Sequence, residues 1–305
     1  MVTRKTAAKR GAAAKTGQRV PARTVVRAAA AGARIDALVA EIVGKTLAAP
    51  QRAAAVRRLS WEGLAASPKA YRELLKALMD PQSPKSVRRS LLLEVKSALF
   101  GPARQAPLFA DTMTALRAMR TDPDDEIRLE VNGMLAREGD AAGLTGLVDG
   151  LRAPDQAVVP PEVALRLLSS AVHAGAFEAA KEVLKKPPSE QAQVEALRIL
   201  AADGTEAARF EKLFLDRNAS VQLRTMAAAA LNQFDSLKFQ DMARRVALDA
   251  AEHDTVRVLG LNAIATFGKR ERLSADSQLT ELVNKSKAGR SPLSEAARRL
   301  SAKLE

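Results

Sequence analysis

Residues Ala251–Gly268 read AEHDTVRVLGLNAIATFG, and the spacing within this stretch decides the fold. Asp254 precedes Val256-Arg257, and small or apolar residues then recur at Gly260, Ala263, Ile264 and Phe267. Counted from Val256 these are i+4, i+7, i+8 and i+11, one stripe along a helix. The same grammar stands 33 residues earlier, at Leu223-Arg224, Ala227, Ala230, Leu231 and Phe234. Two like helices separated by the length of a helix pair predict a stack of repeats.

Working outward, Val56, Val87, Ile127, Leu165, Val194, Leu223 and Val256 open the same pattern at intervals of 29 to 40 residues, close to 33 on average. About eight antiparallel helix pairs then fill residues 35–305, the layout of an α-α superhelix rather than a compact bundle. Composition agrees. Hydrophobic residues make up 47% of the 305 but aromatics only 3%, so the core is built from Ala, Leu and Val, which favour helix and close helix packing. No alternating β-branched runs occur, and the fold class is all-α. The first amphipathic helix runs from Ile35 through Leu38, Val39, Ile42 and Val43 to Leu47, with Pro50 read as closing it. Val56-Arg57-Arg58 is read as the start of its partner, and Trp61 as a packing residue near the N-terminal cap, with stacking on a base or partner as the alternative.

The net charge of +13 is unevenly placed. Residues 1–34 hold nine Lys/Arg and no acid, residues 52–104 are +7, and residues 105–267 are −6. The first 34 residues are low-complexity Ala, Lys, Arg, Thr and Gly. So little apolar surface cannot offset the entropy of ordering, which predicts a disordered basic tail over 1–34 ahead of a repeat domain over 35–305. Three readings of the tail stand side by side: a ligand for nucleic acid or another polyanion, an organelle transit peptide, and a solubilising extension.

Asp122-Pro123 with Ile127-Arg128, Asp254 with Val256-Arg257, and Leu223-Arg224 with Ala227 and Ala230-Leu231 resemble HEAT repeats of the armadillo type. The tail resembles the Lys/Ala-rich tails of linker-histone-like nucleoid proteins. The HEAT resemblance implies a curved stack whose second helices line a concave binding face for proteins or nucleic acids. Its members include scaffolds, adaptors, bilin lyases and alkylpurine DNA glycosylases. It implies no single activity.

Candidate chemistry is sparse. With no cysteine there is no disulfide, thiolate metal site or cysteine nucleophile, and His173 and His253 are isolated, so no metal or cofactor is expected. No phosphate loop or nucleophile–base pairing stands out. Asp124-Asp125 reads as a helix start, and no Asp has the context a glycosylase would require. The recurring arginines are read as structural, with Asp122 and Arg128, Asp216 and Arg224, and Asp254 and Arg257 as repeat positions in which a turn carboxylate meets the arginine. Candidate partner or phosphate contacts are Arg4, Lys5, Lys9, Arg10, Lys15, Arg19, Arg23, Arg27 and Arg34 of the tail, with Arg52, Arg57, Arg58, Lys85, Arg88 and Arg89 of the first repeats. The doubled arginines at 57–58 and 88–89 are placed at equivalent repeat positions.

The functional expectation is a non-catalytic scaffold or adaptor that binds a protein partner along its concave face, and no enzyme. The alternative is a nucleic-acid-associated protein that holds phosphate backbone with tail and first repeats, and a glycosylase-like enzyme ranks below both. No apolar run reaches the roughly 18 residues of a membrane span. A cytoplasmic protein is expected, with nucleoid association or a transit peptide left open.

Overall fold

The structure, a computed structural model, describes residues 22–101, 108–171 and 174–304. Regular structure among the described residues is helical throughout. The helices are α1 (Ala22–Val43), α2 (Ala49–Val56), α3 (Trp61–Ala66), α4 (Pro68–Met79), α5 (Lys85–Leu99) and α6 (Leu108–Ala118). There follow α7 (Asp125–Arg137), α8 (Ala141–Arg152), α9 (Pro161–Ala171), α10 (Ala174–Lys185), α11 (Glu190–Leu200) and α12 (Ala207–Leu215). The last six are α13 (Val221–Phe234), α14 (Ser236–Leu248), α15 (Asp254–Phe267), α16 (Arg270–Ser274), α17 (Ser277–Ser286) and α18 (Pro292–Leu304). The chain divides into two compact units, Met1–Met119 and Arg120–Glu305.

In the first unit α1 pairs with α2 and α4 with α5; α2 packs on α5, and α1 on α4, which also carries α6. In the second, α8/α9, α10/α11, α12/α13, α14/α15 and α17/α18 are pairs. Their second helices stack in one layer in the order α9, α11, α13, α15, α18, with α7 packed on α9 at its start. A continuous apolar core runs from Ala136 to Leu300, and its small members, Ala227, Ala243, Ala247 and Ala297, are fully buried. Each unit is thus the HEAT-like layering of antiparallel helix pairs that the sequence period predicts.

Local chemistry sets the ends of these helices. Asp124 starts α7 by accepting the Glu126 and Ile127 amides at 3.1 Å each, and Ser220, Asp235 and Asp276 begin α13, α14 and α17 in the same way. Helix α7 stops at Gly139, whose φ of 69° turns the chain. The Asp140 amide then reaches back to the Leu135 carbonyl at 2.9 Å and the Gly139 amide to that of Ala136 at 3.1 Å.

The repeating arginine has a specific task. Its Nε–H donates to a main-chain oxygen ten residues back: Arg52 to Ile42 at 2.7 Å, Arg88 to Leu78 at 2.8 Å, Arg224 to Phe214 at 2.9 Å and Arg257 to Ala247 at 3.3 Å. In all four cases the acceptor is the penultimate residue of the preceding helix. Carbonyls in a last helical turn lack a partner within the helix, so one guanidinium closes one helix end as it begins the next. A second set of bonds joins successive repeats. Arg72 meets Asp111 at 2.9 Å, Lys181 meets Glu206 at 3.4 Å and Arg272 meets Asp241 at 3.2 Å, while Lys238 pairs with Glu211, Arg217 with Asp249 and Arg244 with Asp276.

Two boundaries differ from expectation. Helix α1 begins at Ala22, so residues 22–34 are helical and do not belong to a disordered tail. Ala28–Ala31 are strong helix formers, and extending a helix already packed at Ile35 and Leu38 carries no new nucleation cost. The tail reading of residues 1–21 lies outside the described residues. Pro50 does not close a helix but stands in the first turn of α2, so Val56 ends that helix and Arg57 is its C-cap. The counterpart of Arg88 is therefore Arg52. The doubled arginines 57–58 and 88–89 are not equivalent: one pair follows the end of α2 and the other lies in the first turns of α5.

Candidate functional site

The cations proposed from sequence separate into three groups. Arg4, Lys5, Lys9, Arg10, Lys15 and Arg19 lie outside the described residues, while Arg23 and Arg27 fall on α1. Arg52 and Arg88 are turned inward, 6% and 3% exposed, and hold the carbonyls named above; as surface phosphate ligands they are corrected. Arg34, Arg57, Arg58, Lys85 and Arg89 are exposed. To them the structure adds Lys45 and Lys69, exposed cations that stand outside the marker positions and were passed over for that reason.

The acids of the first unit are largely occupied. Glu41 accepts from Arg58 at 3.0 Å, Glu73 from Lys76 at 2.8 Å and Asp111 from Arg72 at 2.9 Å. Asp36 holds the Ser67 hydroxyl at 3.0 Å, and Asp80 closes its own turn through the Gln82 amide at 2.9 Å. The unit carries 22 Lys/Arg against 7 Asp/Glu, a net +15, whereas the second unit carries 26 against 28, a net −2. Arg34 and Arg58, with Glu41, Ile35 and Leu38, line an open depression of about 510 Å³ beside α1.

The repeat positions use their carboxylates less uniformly than expected. Arg257 does meet Asp254, at 3.1 Å. Arg224 instead engages Glu252 with both terminal nitrogens, at 2.7 and 2.6 Å, and Asp216 accepts the Asn218 amide at 2.9 Å. Arg128 donates to the main-chain oxygens of Val158 and Asp122, at 2.8 and 2.6 Å, and pairs with Asp125; the Asp122 carboxylate accepts the Asp124 amide at 3.0 Å.

Trp61 is a packing residue, its ring edge-on to Tyr71 with centroids 5.9 Å apart. The Tyr71 hydroxyl lies 2.5 Å from that of Thr112, which gives its own proton to the Leu108 carbonyl at 2.7 Å, so the tyrosine is the donor. Burial pushes the Tyr71 phenol up to about 12. His253 caps α15 by accepting the Thr255 amide on Nδ1 at 3.2 Å, and His173 lies outside the described residues. Among the described residues no three His, Cys, Asp or Glu side chains gather as a metal site would require, and no helix is long and apolar enough to cross a membrane.

No family model and no curated protein matches the chain. Among solved structures it aligns with human deoxyhypusine hydroxylase in complex with glycerol, at 16% identity and a TM-score of 0.36, over 79% of this chain and 98% of that one. That neighbour is named as an enzyme, and it overturns the expectation of a non-catalytic scaffold and of no enzyme. The expectation rested on architecture alone, and a helical repeat architecture is no ground for denying catalysis. The likeness is too distant to bring that protein's chemistry to this chain.

Proposed function

We propose that this chain is a HEAT-type repeat protein that engages the phosphate backbone of nucleic acid through its basic N-terminal part, residues 1–34 together with the exposed cations of the first unit. One observation carries the reading: the whole positive excess lies in the first unit, where 22 cations face 7 acids. The arginine that closes the preceding helix at four repeat positions supports the repeat assignment.

Phosphate contacts of this kind position a protein without reading sequence, and each contact releases condensed counterions. Binding to single strands usually adds base stacking on exposed aromatics. The one tryptophan is half-buried against Tyr71 and, among the described residues of the first unit, Phe100 alone is an exposed aromatic, so a strand finds one stacking platform at most and the proposed contact is with duplex backbone. Fluorescence anisotropy of a labelled duplex, titrated with the full chain at stepped salt, tests the proposal. Lys45→Glu with Arg57→Glu weakens binding, while Arg166→Glu, an exposed arginine of the second unit, leaves it unchanged. Equal effects from the two variants, or no binding at low salt, would refute it.

A further inference from the structure

Charge is not spread evenly over the second unit. Residues 120–267 hold 17 Lys/Arg against 23 Asp/Glu, a net −6, whereas residues 268–305, which contain α16, α17 and α18, hold 9 against 5, a net +4. The excess is densest from Lys285 to Lys303, where six cations stand with the single acid Glu295. Three of the six, Lys287, Arg290 and Arg298, belong to one small region: the loop between α17 and α18 and the side chain of α18 that holds it.

The loop is fixed at both ends. The Lys287 amide closes α17 on the Val283 carbonyl at 3.0 Å, and the Ser291 hydroxyl opens α18 by accepting the Ser294 amide at 3.2 Å. Between them Arg298 donates one terminal nitrogen to the carbonyls of both Lys287 and Gly289, at 2.9 and 2.8 Å. Gly289 permits the close approach, since a Cβ there would sit 2.5 Å from the Ser294 Oγ. Lys287, Arg290 and Arg298 are all exposed, and none of them meets a carboxylate among the described residues. The one acid of α17, Glu281, is engaged by Lys285 at 2.6 Å. The backbone is thus held while its cations stay uncommitted.

We propose that the loop between α17 and α18 is a second phosphate contact for nucleic acid, in which Lys287, Arg290 and Arg298 meet the backbone of a duplex. Cations with no carboxylate partner take a phosphate without first breaking an ion pair, and each contact releases counterions. The large apolar side chains left in solvent, Leu93, Phe100, Leu129, Leu237 and Phe267, all lie outside residues 268–305. The region therefore lacks the apolar anchor on which a protein interface centres, and the apolar face by which a helix enters a membrane surface. Residues 268–305 also contain no aromatic, so a single strand finds nothing there to stack on. A duplex backbone is the partner that needs charge alone. The inference rests on the phosphate reading for the class of ligand but not for its place, since the first unit supplies no residue of this loop.

The test measures duplex binding by the full chain at stepped salt, for the wild type and for two variants that remove equal charge. Lys287→Gln with Arg290→Gln lowers the slope of log affinity against log salt by about 2, at roughly 0.9 per phosphate contact. Arg166→Gln with Lys186→Gln, two exposed cations from the acidic part of the same unit, leaves the slope unchanged. Thermal melting is the same in both variants, because all four side chains are exposed. Equal slopes in the two variants would overturn the proposal and leave the first-unit reading intact. A reduced slope in the loop variant, with no effect of Lys45→Glu and Arg57→Glu, would uphold the loop and overturn the first-unit reading instead. Vesicles of phosphatidylserine and phosphatidylcholine are the last arm, and their binding is independent of Lys287 and Arg290. Vesicle binding that falls in the loop variant while duplex binding does not would assign the loop to a lipid surface and overturn the proposal.

Discussion

Arg224 holds Glu252 with two parallel hydrogen bonds, at 2.7 and 2.6 Å, between side chains that are 2% and 5% exposed. The same guanidinium closes the preceding helix on the Phe214 carbonyl. Removing one partner leaves a buried uncompensated charge, which costs about 3–5 kcal/mol. Arg224→Met alone therefore lowers the urea midpoint strongly, and adding Glu252→Leu recovers part of the loss. A single substitution with no effect on the midpoint would show that the pair does not join these repeats.

The same pair sets an acid response. The Arg224 hydrogen bonds hold the Glu252 carboxyl below its ordinary 4.5, against the opposing effect of burial and with help from the His253 amide. Asp276 is lowered in the same sense, chiefly by Arg244. A carboxyl with a depressed folded pKa contributes stability that is complete above its unfolded value and is lost as pH falls through the folded one. Stability should thus be level above about pH 4.5 and decline below it. In the Arg224→Met/Glu252→Leu variant that decline is shallower.

Two glycines on second helices should respond to alanine in opposite directions. A Cβ on Gly260 would sit 2.5 Å from the Ala243 carbonyl oxygen, so α15 and α14 pack through the absence of a side chain. Gly260→Ala forces them apart and costs about 1–3 kcal/mol. At Gly133, inside α7, a Cβ meets only Leu167, at an ordinary 3.8 Å. Gly133→Ala stabilises by roughly 0.5–1 kcal/mol through the lower helix propensity of glycine. Thermal melts of the two variants decide this.

Tyr71 is the single tyrosine, so its phenolate can be followed by absorbance without assignment. Burial raises it to about 12. A raised folded pKa means that its contribution is full below the unfolded value near 10 and is lost as pH rises through the folded one. Titration therefore coincides with alkaline unfolding or lies near 12. A phenol that titrates near 10 with the helices intact would show that it is solvated.

The period of the stack was legible because Leu223-Arg224 and Val256-Arg257 are followed by the same small residues. What the arginine does was not. Its acceptors are main-chain carbonyls, which every residue carries and no letter of the sequence marks. The first repeat was misplaced for a related reason: Arg52 follows Gln51 rather than an aliphatic residue, and Pro50 is compatible with either the end or the start of a helix. The cations of the first unit were legible by composition, but which of them face solvent was not. Arg52 and Arg88 look the same in sequence as the exposed Arg57 and Arg89.

The claim that the basic N-terminal part holds nucleic-acid phosphate is tested most directly by salt dependence. Because α1 starts at Ala22, Arg4, Lys5, Lys9, Arg10, Lys15 and Arg19 can be changed to Gln without touching a described helix. Log affinity for a duplex is plotted against log salt for the wild-type chain and for this variant. At roughly 0.9 per phosphate contact, loss of six contacts reduces the slope by about 5. A variant that binds as the wild type does, with the same slope, would contradict the account.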